Sequence, residues 1–282
     1  MCRLVAYLGP NTLLEEILVK PRNSLISQSL HARESKIFTN GDGFGIGWYA
    51  PHISADPGLF TSLTPAWSNR NLLYLAAKIE SPCFFGHVRA ASSGGVSTFN
   101  CHPFIYQQWM LMHNGEINDF INVKRHIRHL LNDDIYQWVK GETDSEHLFA
   151  LFIQRAQGRD LSQLNEVANL LQATLQEVNE LVNRYSEKDT GGSFYNICLT
   201  DGTRLITSRY CTNPQTLPES LHYITESSLL SRAHRRQKNA LAPQFVLVAS
   251  EKLNSFRKDW HDVPPNHLLL VDTDLQISFR AL

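Results

Sequence analysis

The chain has 282 residues, 26 of them Lys or Arg against 27 Asp or Glu, for a formal net charge of −1. A composition that is 43% hydrophobic and 19% charged supplies a sizeable core and excludes bulk disorder, while the balanced charge excludes a nucleic-acid footprint and a polybasic membrane surface. The length fits one large domain or two modest ones, no apolar run reaches the ~18 residues of a membrane span, and five scattered cysteines without a CxxC pair (Cys2, Cys83, Cys101, Cys198, Cys211) argue against a disulfide framework or a cysteine zinc site.

In chain order, "CRLVAYL" (2–8) reads as a short buried strand and Gly9-Pro10 as a turn. Arg3 is the only early charge and the apolar stretch 4–8 is too short for a signal peptide, so a cytoplasmic protein is expected. Thr12 with Glu15 has capping-box spacing and predicts that "TLLEEILVK" starts as a helix. "GDGFGIGWYA" (41–50) is a Gly-rich turn running into a strand, "NRNLLYLAAKIE" (69–80) a helix, and "CFFGHVRA" (83–90) a strand. "QWMLMH" (108–113) is a further strand, closed by Asn114-Gly115 as a tight-turn pair. Helices then dominate: "INDFINVKRHIRHLL", "TDSEHLFALFIQRAQ", and a segment in which Leu161, Leu164, Val167, Leu171, Leu175, Val178, Leu181 and Val182 recur at three- and four-residue steps. Strands return in "SFYNICLT", "RLITSRY", "LHYIT", "QFVLVAS", "HLLLVD" and "QISFRAL", with hairpin turns at Asp201-Gly202 and 272–274. The basic "SRAHRRQKNALAP" reads as a solvated surface segment. Strands, helices, then strands predict an α+β fold with antiparallel sheets, in one domain over 1–282.

Four stretches bear chemistry: "MCR" (1–3), "GHVRAASSG" (86–94), "MHNGEIND" (112–119) and "ETDSEH" (142–147). Each alone has a plain structural reading: core packing for Cys2, a strand-end salt bridge for Arg89, a hairpin for Asn114-Gly115, helix caps for Thr143, Asp144 and Ser145. In combination they resemble the class II glutamine amidotransferases, which are N-terminal-nucleophile hydrolases. The resemblance covers about residues 2–150 by motif, and "ASEKL…DWHDVPPNHLLLV" (249–271) is similar to the closing hairpin region of the family's stand-alone branch. It implies a four-layer αββα sandwich. It also implies catalytic roles for Cys2, Asn114 and Gly115, with Arg89 and Asp144 holding the substrate carboxylate and ammonium and His102 shaping the substrate-binding region.

The residue types suit that chemistry. A thiol of pKa ~8.5 needs a base, and a free α-amino group at ~7.7–8.0 is one. Only a chain-terminal cysteine owns both, so the mechanism requires removal of Met1. The Asn114 amide and an unobstructed Gly115 N–H are the donors of an oxyanion hole. Arg89 can grip a carboxylate bidentately and Asp144 can pair with an ammonium, which together read an α-amino acid.

Synthase-fused members read "GHTRWATHG"; here Ala90 and Ser93 stand in place of the Trp and His, and the family's "RG-x-D-S-x-G" turn appears as "NGDGFG" without its Arg. The resemblance therefore points to the small branch that holds the ergothioneine-pathway γ-glutamyl hydrolase and the glutathione-degrading amidotransferase-like subunit. It implies hydrolysis of the γ-glutamyl amide of glutamine or of a small molecule or peptide. It implies no cofactor and no metal; the partners would be a γ-glutamyl small molecule, neither nucleic acid nor membrane, and a partner synthase or peptidase subunit. Two alternatives stay open: a glutaminase subunit delivering ammonia to a separate synthase, and a catalytically silent regulatory or binding subunit on the same fold. An N-terminal-cysteine acylase is disfavoured by the "HNGEIND" and "ETD" motifs. "GDGFGIG" does not match GxGxxG, His126 and His129 sit on a basic helix face without further ligands, and Cys101 lacks a base.

Overall fold

A computed structural model describes residues 2–34, 38–91, 95–187, 191–225, 245–254 and 257–282. Strand β1 (Arg3–Leu13) is the spine of the first sheet, antiparallel to both β4 (Glu80–Val88) and β10 (Val246–Ala249). Its alternation sorts the molecule into layers. Leu4, Ala6 and Leu8 point between the sheets, whereas Val5 and Tyr7 face outer helices. Both faces are buried, which is why the run has no polar side. With β2 (Phe44–Trp48), β3 (Gly58–Ser62), β9 (His222–Ile224) and β11 (His261–Asp262), the sheet has the order β11-β9-β10-β1-β4-β2-β3.

The second sheet, ordered β13-β12-β8-β7-β6-β5, is built from β5 (Phe104–Tyr106), β6 (Trp109–Glu116), β7 (Phe194–Thr200), β8 (Leu205–Cys211), β12 (His267–Val271) and β13 (Ile277–Ala281). Short helices α1 (Leu14–Leu18), α2 (Leu25–Leu30) and α3 (Arg70–Ala76) cover the first sheet. The second is covered by α4 (Phe120–His129), α5 (Asp133–Trp138), α6 (Asp144–Ala156) and α7 (Leu164–Tyr185). The result is an α+β, four-layer αββα sandwich. Helix α6 is buried on every side from Leu148 to Ile153, and each such Leu or Phe stabilises by ~1.5–3 kcal/mol. That packing fixes the start of α6, which carries Asp144. Helix α7 instead buries one stripe, through Val167, Leu171, Leu175, Val178 and Val182.

Strand pairing overrides three local turn and cap signals. Gly9-Pro10 does not end β1; the strand continues to Leu13 through a register shift between Leu8 and Thr12, a bulge that accommodates the proline. Thr12 therefore pairs with Ser81 in the ladder, and α1 starts at Leu14 with Leu13 as N-cap and no side-chain cap. Asn114-Gly115 is not a turn either: β6 runs on to Glu116, placing Asn114 opposite Asn196 and Gly115 opposite Tyr195. Glycine is needed there because a Cβ would overlap the Phe194 carbonyl oxygen and the His113 ring. The basic stretch 231–243 and Ser93 lie outside the described residues. Among the described residues no helix is long and apolar enough to cross a membrane.

Candidate active site

The register of β1 against β4 sets Arg3 opposite Val88, so Cys2 meets the residues that follow β4. The half-buried Cys2 Sγ accepts from the Ala90 N–H and donates to the Ala90 carbonyl, both at 3.4 Å. Arg89 beside it is only 3% exposed. Its N–H donates to the Gly43 carbonyl (2.9 Å), its carbonyl accepts from the Asp42 N–H (3.0 Å), and Asp42 Oδ2 accepts from the Ala91 N–H (2.8 Å). The "NGDG" stretch is thus a clamp on 89–91. Burial pushes the Cys2 thiol above its ordinary value, against the Ala90 hydrogen bond and the charges of Arg89 and Arg3. A thiol so placed needs a base to become a thiolate.

The facing wall belongs to the second sheet. Asn114 on β6 is 1% exposed and Asp144, first residue of α6, 4%. Ser250, just past β10, ties the walls together: its Oγ accepts from the Leu4 N–H (3.1 Å) and from Asn114 Nδ2 (3.4 Å). Asp144 Oδ2 accepts from the Ile117 N–H (2.8 Å) and Oδ1 from the Ser145 N–H (2.8 Å), which locks the carboxylate to the end of β6. Thr143 caps the helix, its hydroxyl accepting from the Glu146 N–H (3.2 Å). A second strap runs over the top. Arg89 Nη1 donates to the Gly95 carbonyl (3.3 Å), Asn100 Nδ2 donates to the same oxygen (2.7 Å), and Asn100 Oδ1 accepts from the Glu142 N–H (2.8 Å), two residues before Asp144.

His102 lies just before β5, joined to Pro103 by a cis bond. Its ring packs 4.2 Å from the ring of His87 and 4.6 Å from Phe104, and a Cβ on Gly45 would overlap its carbonyl. Burial holds His102 well below the ordinary imidazole value and His87 at about 3, so both rings are neutral. His102 therefore stands behind His87, two residues before Arg89 on β4. Cys101 is buried, its thiol pushed up to about 11 by that burial, and His126 stacks on Tyr185 at 3.5 Å. Among the described residues no three His, Cys, Asp or Glu are grouped to hold a metal.

Sequence reading missed Asp42, Ser250 and Glu251. Glu251 is 1% exposed and pairs with Arg3 at 3.4 Å, and it also accepts from the N–H groups of Arg33 and Glu34 (both 2.9 Å) and from Asn23 Nδ2 (3.3 Å). "ASEKL" was visible as part of the family likeness, but its partners lie 246 and 248 positions away, beyond any local signal.

A four-layer sandwich with a cysteine leading its central strand is the architecture of the N-terminal-nucleophile amidotransferases. The family model for class II glutamine amidotransferases matches residues 16–280, and the chain belongs to that family. The matched stretch contains Arg89, Asn114, Gly115 and Asp144, while Cys2 lies ahead of it. A Saccharomyces cerevisiae protein named "Probable glutamine amidotransferase DUG3" is 35% identical over 96% of this chain and 82% of its own length. The gamma-glutamyl-hercynylcysteine sulfoxide hydrolase of Mycolicibacterium smegmatis is 27% identical over 95% of each chain. Among solved structures, a glutamine aminotransferase class-II domain protein from Silicibacter pomeroyi superposes with a TM-score of 0.69 at 23% identity, covering 100% of this chain and 99% of that one. Glutamine phosphoribosylpyrophosphate amidotransferase from Bacillus subtilis gives 0.64 at 14% identity, with 99% of this chain covering 49% of that one.

Proposed function

We propose that this protein, one amidotransferase unit over 1–282, hydrolyses the γ-glutamyl amide of a small molecule or peptide through a Cys2 thioester. Removal of Met1 frees the Cys2 amine, which takes the thiol proton. The sulfur attacks the amide carbon, and the negative oxygen is met by Asn114 Nδ2 and the Gly115 N–H. The amine then protonates the departing nitrogen, the C–N bond breaks and a γ-glutamyl thioester remains. Water, deprotonated by the same amine, releases glutamate and restores the thiol. Arg89 grips the substrate carboxylate and Asp144 its ammonium; His102 supports Arg89 from behind through His87. The observation that carries the reading is the Ser250 bridge, which brings the strand of Cys2 to the amide of Asn114.

The five cysteines are all unpaired, which suits a reducing compartment, and we assign the protein to the cytoplasm. The test is glutamate release from glutamine and from a panel of γ-glutamyl compounds, with intact-mass analysis for Met1. Turnover that Cys2→Ala abolishes, without change in melting, supports the reading; turnover surviving in Cys2→Ala overturns it. Slow turnover of every substrate that rises when a partner protein is added supports the subunit alternative.

A further inference from the structure

We propose that His113 and Ser145 form a proton-coupled positioning pair that sets how strongly Asp144 holds the α-ammonium of the substrate. The inference rests on the reading of Asp144 given above. His113 occupies the outer face of β6, one residue before Asn114. Its Nε2 lies 2.9 Å from the Phe194 carbonyl oxygen, which can only accept, so Nε2 carries a proton in either charge state. Its Nδ1 lies 2.9 Å from Ser145 Oγ, and that oxygen is in turn 3.2 Å from Asp144 Oδ1.

The serine has one hydroxyl proton for two neighbours. When His113 is neutral, Nδ1 is an acceptor and takes that proton. Asp144 Oδ1 then receives only the Ser145 N–H and keeps a lone pair open. When His113 is protonated, Nδ1–H donates to Ser145 Oγ and the hydroxyl turns to Asp144, filling Oδ1 and bringing a positive charge near the site meant for an ammonium. The two states therefore differ in acceptor capacity and in electrostatics, both in the same direction. By reciprocity, an ammonium bound at Asp144 drives the proton off His113. Other groups facing the ring do not supply this switch. Tyr195 stacks on it at 5.9 Å with Tyr210 behind, and burial raises both phenols. His87 and His102 across the sheet are held neutral, and the Arg89 charge bears on both.

The experiment uses the Cys2→Ala protein, where binding is separated from chemistry, with L-glutamine as the probe. Calorimetry between about pH 5.5 and 8 should show affinity rising about tenfold, with proton release on binding and a change in the His113 ¹⁵N signal when glutamine is added. Glutaramic acid, which lacks the α-ammonium, should show no such rise. His113→Gln, which keeps a donor for Phe194, and Ser145→Ala should each flatten the glutamine profile. A glutamine profile unchanged in Ser145→Ala, or a His113 ¹⁵N signal indifferent to glutamine, overturns the coupling while leaving the proposed function standing. No binding of glutamine or any γ-glutamyl compound at any pH overturns the role of Asp144 and this inference with it.

Discussion

The wall that carries Cys2 and Arg89 and the wall that carries Asn114, Gly115 and Asp144 dispose of buried charge in opposite ways. Behind Cys2, Arg3 and Glu251 face each other at 3.4 Å, each 1% exposed. Across the site, Asp144 is served by neutral backbone donors, Ile117 and Ser145, at the start of a helix whose dipole favours a negative charge. A buried ion pair adds little net stability yet is very damaging to break, because the surviving charge has nowhere to go. A carboxylate held by backbone depends instead on the geometry of the strand and helix that present it. The Cys2 wall is therefore sensitive to the loss of one partner, the Asp144 wall to small shifts of main chain.

The sharpest way to break this contrast is Glu251→Leu. It removes the carboxylate paired with Arg3 and should lose about 3–5 kcal/mol of stability by denaturant titration. Adding Arg3→Met should recover part of that loss. A double variant no more stable than the single would mean that Glu251 serves the N–H groups of 33 and 34, not Arg3. Next, Asn114→Ala should lower kcat about 10²–10³-fold with little change in melting, since its bond to Ser250 is long at 3.4 Å; an equal fall in stability would make Asn114 a structural bridge only. Smaller still, Thr143→Ala removes the cap ahead of Asp144 and should cost about 1 kcal/mol, with a rise in KM as the carboxylate shifts. A KM identical to wild type would show that the packing of α6 alone positions Asp144.

The smallest effect concerns acid. His222 places Nδ1 at 2.6 Å from Asp262 and Nε2 at 2.9 Å from Glu34, so two carboxyls share one imidazole. Burial raises both carboxyls, but the His222 hydrogen bonds and charge outweigh it, leaving them below their ordinary values of 4.5 for Glu34 and 3.8 for Asp262. Folded values below unfolded ones mean stability that is fully present above those ordinary values and lost as pH falls through the lower folded ones. His222→Gln should flatten the urea midpoint between about pH 5 and 3. An unchanged acid limb would show that this surface cluster carries no stability.

The elements and the positions of the five residues proposed for the site were legible because each sits in a local pattern: Cys2 behind Met1, Arg89 ending a strand, Asn114-Gly115 in sequence, Asp144 opening a helix. What surrounds them was not. The Asn-Gly pair carries a strong turn signal, yet β7 pairs through it, and only the Phe194 carbonyl explains the glycine. Thr12 and Glu15 satisfy a capping box, but the ladder to Ser81 claims Thr12 first. Ser250 and Glu251 gain their meaning from β1, which the topology brings beside β10. Periodicity has no access to such neighbours.

That long-range pairing has a consequence for synthesis. The serine and glutamate that secure β1 are made 246 and 248 positions after the strand residues they bind. The hydrogen bonds that join β1 to those two side chains can therefore form only after all of the intervening chain has been translated.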